Sequence, residues 1–271
     1  MYLVMVKILS ESTSIATCGN SSNLVGVPTG LLASTSFNDF PMPLCIHGIR
    51  ENHVALFHAL KEIKAFSEAR QLFQEYMSTR FALKRKPSGT RRFYANYLHV
   101  LKGWGFDSNG QAGAVLKGWV ESRFGLFPTF HKEPIQRFNS PAWITYMEEK
   151  MSSRFNNNDI MEQLDLLYEF CQWAMLCFFA TGKKHTRLYR GTNNVKEMVQ
   201  DPKSAVVRMN NLSSFTRERG IADAFGDTII ETDVPIVKLL CFNEILVPHT
   251  LQGESEYLVI GGDYRVNASY Y

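Results

Sequence analysis

Three short pieces of this chain, taken in order, hold residue types that can act together: Arg190-Gly191, Ser214-Phe215-Thr216 and Glu254-Ser255-Glu256. Arg190 closes an apolar run and can fork onto a pyrophosphate through paired, charge-assisted hydrogen bonds. Gly191 has no Cβ, so its backbone can come close to a flat ligand such as a nicotinamide amide. In an extended segment the side chains at i and i+2 share a face, which projects Glu254 and Glu256 into one cleft. Two neighbouring carboxylates can divide labour, one stabilising a developing sugar cation and the other receiving a proton from the nucleophile. Glycosidic bond cleavage calls for such help because its transition state is oxocarbenium-like. Ser214 can hold one carboxylate in register as a hydrogen-bond donor. Each piece alone is common; their order carries the reading.

Other candidate chemistry is thinner. Gly103-Trp-Gly-Phe-Asp-Ser-Asn-Gly110 lacks dinucleotide-binding spacing, and Gln111 stands where a phosphate loop needs lysine. It reads as a structured surface loop. With Gly125-Leu-Phe-Pro-Thr-Phe-His131 it reads as a surface for macromolecular recognition, because exposed aromatics anchor interfaces well. Lys84, Arg85, Lys86, Arg91 and Arg92 cluster near Phe93, Tyr94 and Tyr97, which suggests a nucleic-acid patch. A net charge of only +3, from 29 basic and 26 acidic residues, favours a solvated turn around Pro87 and Gly89 instead. The five cysteines (Cys18, Cys45, Cys171, Cys177, Cys241) are odd in number and scattered, with neither Cys-x-x-Cys nor His-Glu-x-x-His in the chain. Neither a disulfide framework nor a metal site is expected, and a reducing cytoplasm fits.

These residues need a frame to bring them together. With 271 residues, 45% of them hydrophobic, the chain can bury a sizeable core. The apolar run from Met1 to Leu9 has no preceding Lys or Arg and is interrupted by Lys7, so it reads as a variable leader or edge strand and not a secretion signal. The stretch from Trp173 to Ala180 is far too short to span a membrane. Val54, Phe57, Leu60, Ile63 and Phe66 recur about once per helical turn, as do Leu72, Phe73 and Tyr76. Asp159-Ile-Met-Glu162 has the form of a capping box opening an amphipathic helix that stops near Gly182. Beyond Gly182 the chain turns β-rich: residues 186–190, 205–209, 228–232, 236–242, 257–260 and 264–268 read as strands, with one helical interruption from Arg217 to Phe225. The expectation is an α+β fold: a helical part over residues 1–182 packed on a mainly antiparallel β core over 183–271, together forming one domain.

The Arg, Ser-x-Thr, Glu-x-Glu order resembles the arginine–serine–glutamate class of mono-ADP-ribosyltransferases. More closely, residues 23–33, 101–110, 114–131 and 253–265 resemble the dinitrogenase reductase ADP-ribosyltransferase family, with only the first ~20 residues and Lys84–Thr90 reading as variable. The resemblance implies transfer of ADP-ribose from NAD⁺, as substrate, to an arginine of the nitrogenase iron protein in nitrogen-fixing bacteria, with release of nicotinamide. It implies that Arg190 binds the NAD⁺ phosphates, Gly191 contacts the nicotinamide amide, and Ser214 with Thr216 orders the site. Glu256 becomes the carboxylate facing the nicotinamide ribose, and Glu254 the one engaging the acceptor guanidinium. Ser-Phe-Thr stands where many relatives have Ser-Thr-Ser, which leaves Thr216 less defined than Ser214. Phe225 is a candidate to stack on nicotinamide, although an apolar helix position is ordinarily core. The acceptor is a protein, so Trp104 and Phe127 are expected on the docking face, in its ADP-bound form the iron protein is the expected partner, and a PII-type nitrogen signal protein is the expected regulator. No nucleic acid or membrane insertion is expected. Three competing readings stand beside the transferase reading: an NAD⁺ glycohydrolase, which needs Glu256 but not Glu254; a non-catalytic nucleotide- or partner-binding module; and nucleic-acid binding through the Lys84–Arg92 patch, which would show as steeply salt-dependent affinity.

Overall fold

A computed structural model describes residues 23–83, 96–193, 198–201, 205–246, 250–251 and 255–270. The N-terminal apolar run, Cys18, the Lys84–Arg92 cluster and Glu254 lie outside the described residues. Helices fill the first part: α1 (Thr29–Ala33), α2 (Thr35–Asp39), α3 (Ile49–Asn52), α4 (Val54–Lys61), α5 (Phe66–Arg80), α6 (Tyr97–Phe106), α7 (Gln111–Phe124), α8 (Pro141–Ser152) and α9 (Asn158–Ala174). A two-stranded ribbon, β1 (Phe130–His131) with β2 (Glu133–Pro134), interrupts them. Strands then dominate: β3 (His185–Thr192), β4 (Val199–Asp201), β5 (Val206–Thr216), β6 (Thr228–Pro235), β7 (Leu239–Phe242), β8 (Glu256–Arg265) and β9 (Asn267–Tyr270), with the short α10 (Arg219–Ala222) after β5. The fold is α+β, as the change in periodicity after Gly182 implies.

The strands pair in the order β7-β8-β5-β3-β6-β9, every pair antiparallel, and β4 covers the first part of one edge of β5. Several elements run longer than the residue pattern predicts. β5 continues to Thr216 because Leu212 and Phe215 bury their side chains, which places Ser214 within a strand. β8 runs unbroken across Gly261 and Gly262 to Arg265. The predicted 236–242 strand opens instead with a 3₁₀ turn at Ile236–Lys238.

The helical part is fastened to this sheet by buried polar side chains that reach its backbone. Gln172 donates to the carbonyls of Ile236 (3.2 Å) and Leu239 (2.8 Å), and the Tyr168 hydroxyl to that of Val237 (2.8 Å). Asn211 on β5 donates to the carbonyls of Lys117 and Leu126 at 2.8 and 2.9 Å. Between these ties lies one apolar cluster drawing residues from Val25 to Val266, in which Phe73 stacks on Phe170 with centroids 4.1 Å apart. Each large side chain fully buried there contributes about 1.5–3 kcal/mol.

Two local predictions change. The cap of α9 is Asn157, whose side chain accepts from the Ile160 N–H at 3.0 Å, so the capping box at Asp159 does not form; asparagine competes well for that position. Val54 is exposed, and α4 buries Leu56, Phe57 and Leu60 instead. α9 passes into a π-turn at Met175–Phe179, and the chain leaves it through Gly182 with φ of 76°. Among the described residues no helix is long and apolar enough to cross a membrane.

Candidate active site

The strand order explains why three pieces so far apart in sequence meet. β3 carries Arg190 and Gly191, β5 carries Ser214 and Thr216, β8 begins at Glu256, and these three strands are neighbours. Thr216 is the direct partner of Glu256 across the β5–β8 ladder and of Tyr189 across the β5–β3 ladder. Ser214 and Thr216, two apart, share the face that Phe215 avoids; Phe215 is buried on the other side.

The side chains connect accordingly. The Ser214 hydroxyl donates to Glu256 Oε1 at 2.7 Å. One Arg190 Nη donates to the Ser214 carbonyl at 2.7 Å, while its buried Nε has no hydrogen-bond partner, which leaves donor capacity in the guanidinium unspent. Burial pushes the Arg190 pKa down and the nearby Glu256 carboxylate opposes that shift. Glu256 is only 8% exposed, as suits a carboxylate on the floor of a cleft. Thr216 accepts at its Oγ1 from the Glu218 N–H at 3.2 Å, bracing the chain where β5 gives way to α10.

A cleft of about 600 Å³ opens over these residues, lined by Trp104, Arg190, Gly191, Ser214, Phe225 and Glu256 among others. Its mouth carries two aromatic side chains, Phe106 at 77% and Phe225 at 64% exposure. The core expectation for Phe225 is therefore overturned: the 3₁₀ turn at Asp223–Phe225 presents the ring to the cleft. Gly191 has a structural reason to lack a side chain, since a Cβ there would lie 2.0 Å from the Ala222 carbonyl oxygen. The close approach it permits is between β3 and α10, which forms one cleft wall.

Glu254 lies outside the described residues, so its i, i+2 placement with Glu256 stays an expectation; Ser255 has φ of 52°, in the left-handed region, and β8 begins at Glu256. One expectation is corrected. Trp104 is not an exposed docking residue. It lies on α6, is 4% exposed, and its indole N–H donates to the Ser214 hydroxyl at 2.9 Å. The glycine-rich stretch there is the end of a helix and a turn, and Gly103 packs so tightly that a Cβ would meet the Ala112 Cβ at 2.5 Å. The Phe127 ring is partly buried among Phe138 and Trp143. The sequence signal for Trp104 is weak because its partner lies 110 positions away.

A slightly larger cleft, about 690 Å³, lies elsewhere, lined by Asn38, His185, Arg187, Asp233 and Arg265 among others. Its arginines are already paired, Arg187 with Asp233 at 3.0 Å and Arg265 with Asp39 at 3.2 Å, so size does not make it the better site. Among the described residues no group of three His, Cys, Asp or Glu side chains is placed to hold a metal ion.

Comparison with known proteins then decides the family. The family model for dinitrogenase reductase ADP-ribosyltransferase matches residues 22–268. The chain belongs to this family. It is 55% identical over 264 residues to the NAD(+)–dinitrogen-reductase ADP-D-ribosyltransferase of Rhodospirillum rubrum, covering 93% of this chain and 96% of that protein. No solved structure shows a significant match. As a dinitrogenase reductase ADP-ribosyltransferase, the chain is an NAD⁺-dependent transferase. The family match takes in the helical part as well as the strands, so α6 and Trp104 fall within it.

Proposed function

We propose that this chain transfers ADP-ribose from NAD⁺ to an arginine of dinitrogen reductase, the nitrogenase iron protein, releasing nicotinamide and switching nitrogenase off. The observation that carries the proposal is the hydrogen-bonded line from Ser214 to Glu256 beside Arg190, at the floor of a cleft, in a chain of this family. In the reaction the bond between the ribose C1′ and the nicotinamide nitrogen breaks. Its electron pair leaves with nicotinamide, which thereby loses its pyridinium charge. Glu256 stabilises the positive charge that develops on the sugar, an electrostatic contribution enhanced by its burial. Arg190 holds the pyrophosphate with its unspent donors. A guanidinium nitrogen of the acceptor bonds to C1′ and gives up a proton, which Glu254 helps to remove. The roles of Gly191 at the nicotinamide amide and of Thr216 in ordering the site follow the family resemblance.

The acceptor side chain must descend into the cleft to meet C1′, so the partner protein covers the mouth where Phe106 and Phe225 stand exposed. These rings, not Trp104, form the proposed contact with the iron protein. Preference for the ADP-bound iron protein and control by a PII-type signal protein rest on the family resemblance. A single transferase unit over 1–271 is proposed because one apolar cluster joins helices and sheet. A reducing cytoplasm is proposed because Cys45, Cys171, Cys177 and Cys241 are free thiols.

The test mixes the purified chain with NAD⁺ labelled in its adenylate half and iron protein in the presence of ADP. Label on an iron-protein arginine supports the proposal; nicotinamide release with an unlabelled iron protein makes the chain a glycohydrolase. Glu254→Gln should cut labelling far more than it cuts nicotinamide release, and an equal loss of both would remove Glu254 from the acceptor role.

A further inference from the structure

We infer that Trp104 is a positioning residue for the transfer reaction: its indole N–H commits the single proton of the Ser214 hydroxyl to Glu256. This rests on the reading of Glu256 as the carboxylate that faces the reacting sugar.

The polarity of the line is forced by the chemistry of its members. An indole N–H can only donate, and a serine hydroxyl has one proton to give. With Trp104 Nε1 2.9 Å from Ser214 Oγ, the serine oxygen is the acceptor there. Its proton is then left for Glu256 Oε1 at 2.7 Å. Without the indole, the hydroxyl is free to rotate its proton toward another acceptor. A carboxylate that receives a donor is held in its ionised form, the form that stabilises a sugar cation.

Trp104 is itself fixed from several sides. Its helix, α6, is pressed against α7 at the Gly103–Ala112 contact. The buried Lys117 ammonium lies 6.0 Å from the ring centroid and is held by Asn109 Oδ1 (3.0 Å), the Phe130 carbonyl (3.0 Å) and His131 Nδ1 (3.2 Å). Trp104 lines both the main cleft and an adjoining cavity of about 230 Å³, so it is a wall of the site. Another buried indole, that of Trp119, gives its N–H to Asp165 within the helical part, at 2.7 Å. Only Trp104, of these two, reaches a side chain bonded to Glu256. The helical part thereby supplies a donor on which the strand-borne site depends.

The test is a double-mutant cycle between Trp104→Phe and Ser214→Ala, read as kcat and KM for nicotinamide release with the acceptor present. Trp104→Phe should lower kcat roughly tenfold, the scale of one well-placed hydrogen bond, while KM for NAD⁺ changes less than about twofold. The acid limb of its pH–rate profile should move to higher pH, because Glu256 loses the donor that favours ionisation. In the Ser214→Ala background the same change should cost little more, since the group it acts through is gone. An equal loss in both backgrounds, or an unchanged kcat, overturns the inference. If Trp104→Phe unfolds, β-(3-benzothienyl)alanine at position 104 replaces only the N–H by sulfur, and the same outcomes apply. Glu256→Gln separates the two levels: if it retains activity the reading of the site fails, whereas an inactive Glu256→Gln with an additive cycle sinks only the role of Trp104.

Discussion

Ser214 has three hydrogen-bonding duties at once: its hydroxyl accepts from Trp104 and donates to Glu256, and its carbonyl accepts from Arg190. The types of Arg190, Ser214 and Glu256 and their order in the chain were enough to nominate them, because each has one obvious task in breaking a glycosidic bond. The carbonyl contact and the indole were not legible, since backbone atoms have no sequence signature and Trp104 is brought in by packing. Ser214→Ala should leave the Arg190 contact in place and cost about tenfold or more in kcat, with a near-native melting temperature. A drop in NAD⁺ affinity without loss of kcat would contradict this. A different residue, Lys238, gives a pH prediction. Fully buried, with its ammonium donating to the Gly261 carbonyl at 3.1 Å, it has a pKa pushed down from 10.5 to about 7 by desolvation. Between those values the unfolded chain binds more protons than the folded one, so stability rises from pH 7 toward 10 and this contribution is flat below 7. Lys238→Met should shrink the difference between urea midpoints at pH 7 and pH 9; an undiminished difference would show that Lys238 is not a source of the slope.

At the scale of elements, α6 and its neighbours decide whether the site is complete. Gly103 sits in a helix where alanine would ordinarily stabilise by up to about 1 kcal/mol. The Ala112 Cβ stands 2.5 Å from where the new Cβ would lie, and overpacking of this kind costs about 1–3 kcal/mol. Overpacking wins, so Gly103→Ala should lower the melting temperature. It should also lower kcat, because the adjacent Trp104 is displaced from Ser214. A stabilised, fully active variant would show that α6 and α7 separate without consequence. Element type was well marked in the sequence: the change from helical to strand periodicity after Gly182 survives in the structure. Strand extent was not, because the far ends of β5 and β8 are held by ladder partners and buried side chains distant in sequence. The turn at Ser255 was hidden for a similar reason, since Glu-x-Glu looks the same in an extended strand and beside a left-handed residue.

For the whole molecule, the division of labour is less clean than a helical recognition part and a β catalytic part. The sheet holds Arg190, Ser214 and Glu256, but α6 gives the site both a wall and, at Phe106, an exposed aromatic rim. The near-balanced charge, +3 overall, fits a ligand held by placed cations such as Arg190 and not by a broad basic field. Phe106→Ala should raise KM for the iron protein several-fold more than KM for NAD⁺, as expected when an interface anchor is removed; a rise confined to KM for NAD⁺ would place the ring in NAD⁺ binding alone. Whether Glu256 on the floor of this cleft drives ADP-ribose transfer comes down to one comparison. Wild type and Glu256→Gln are incubated with adenylate-labelled NAD⁺ and ADP-bound iron protein, and label on the iron protein is measured. Label is expected with the wild type and at least a hundredfold less with Glu256→Gln, on the order of losses seen when a charge-stabilising group is removed from a transition state. Labelling by Glu256→Gln at the wild-type rate would contradict that role for Glu256.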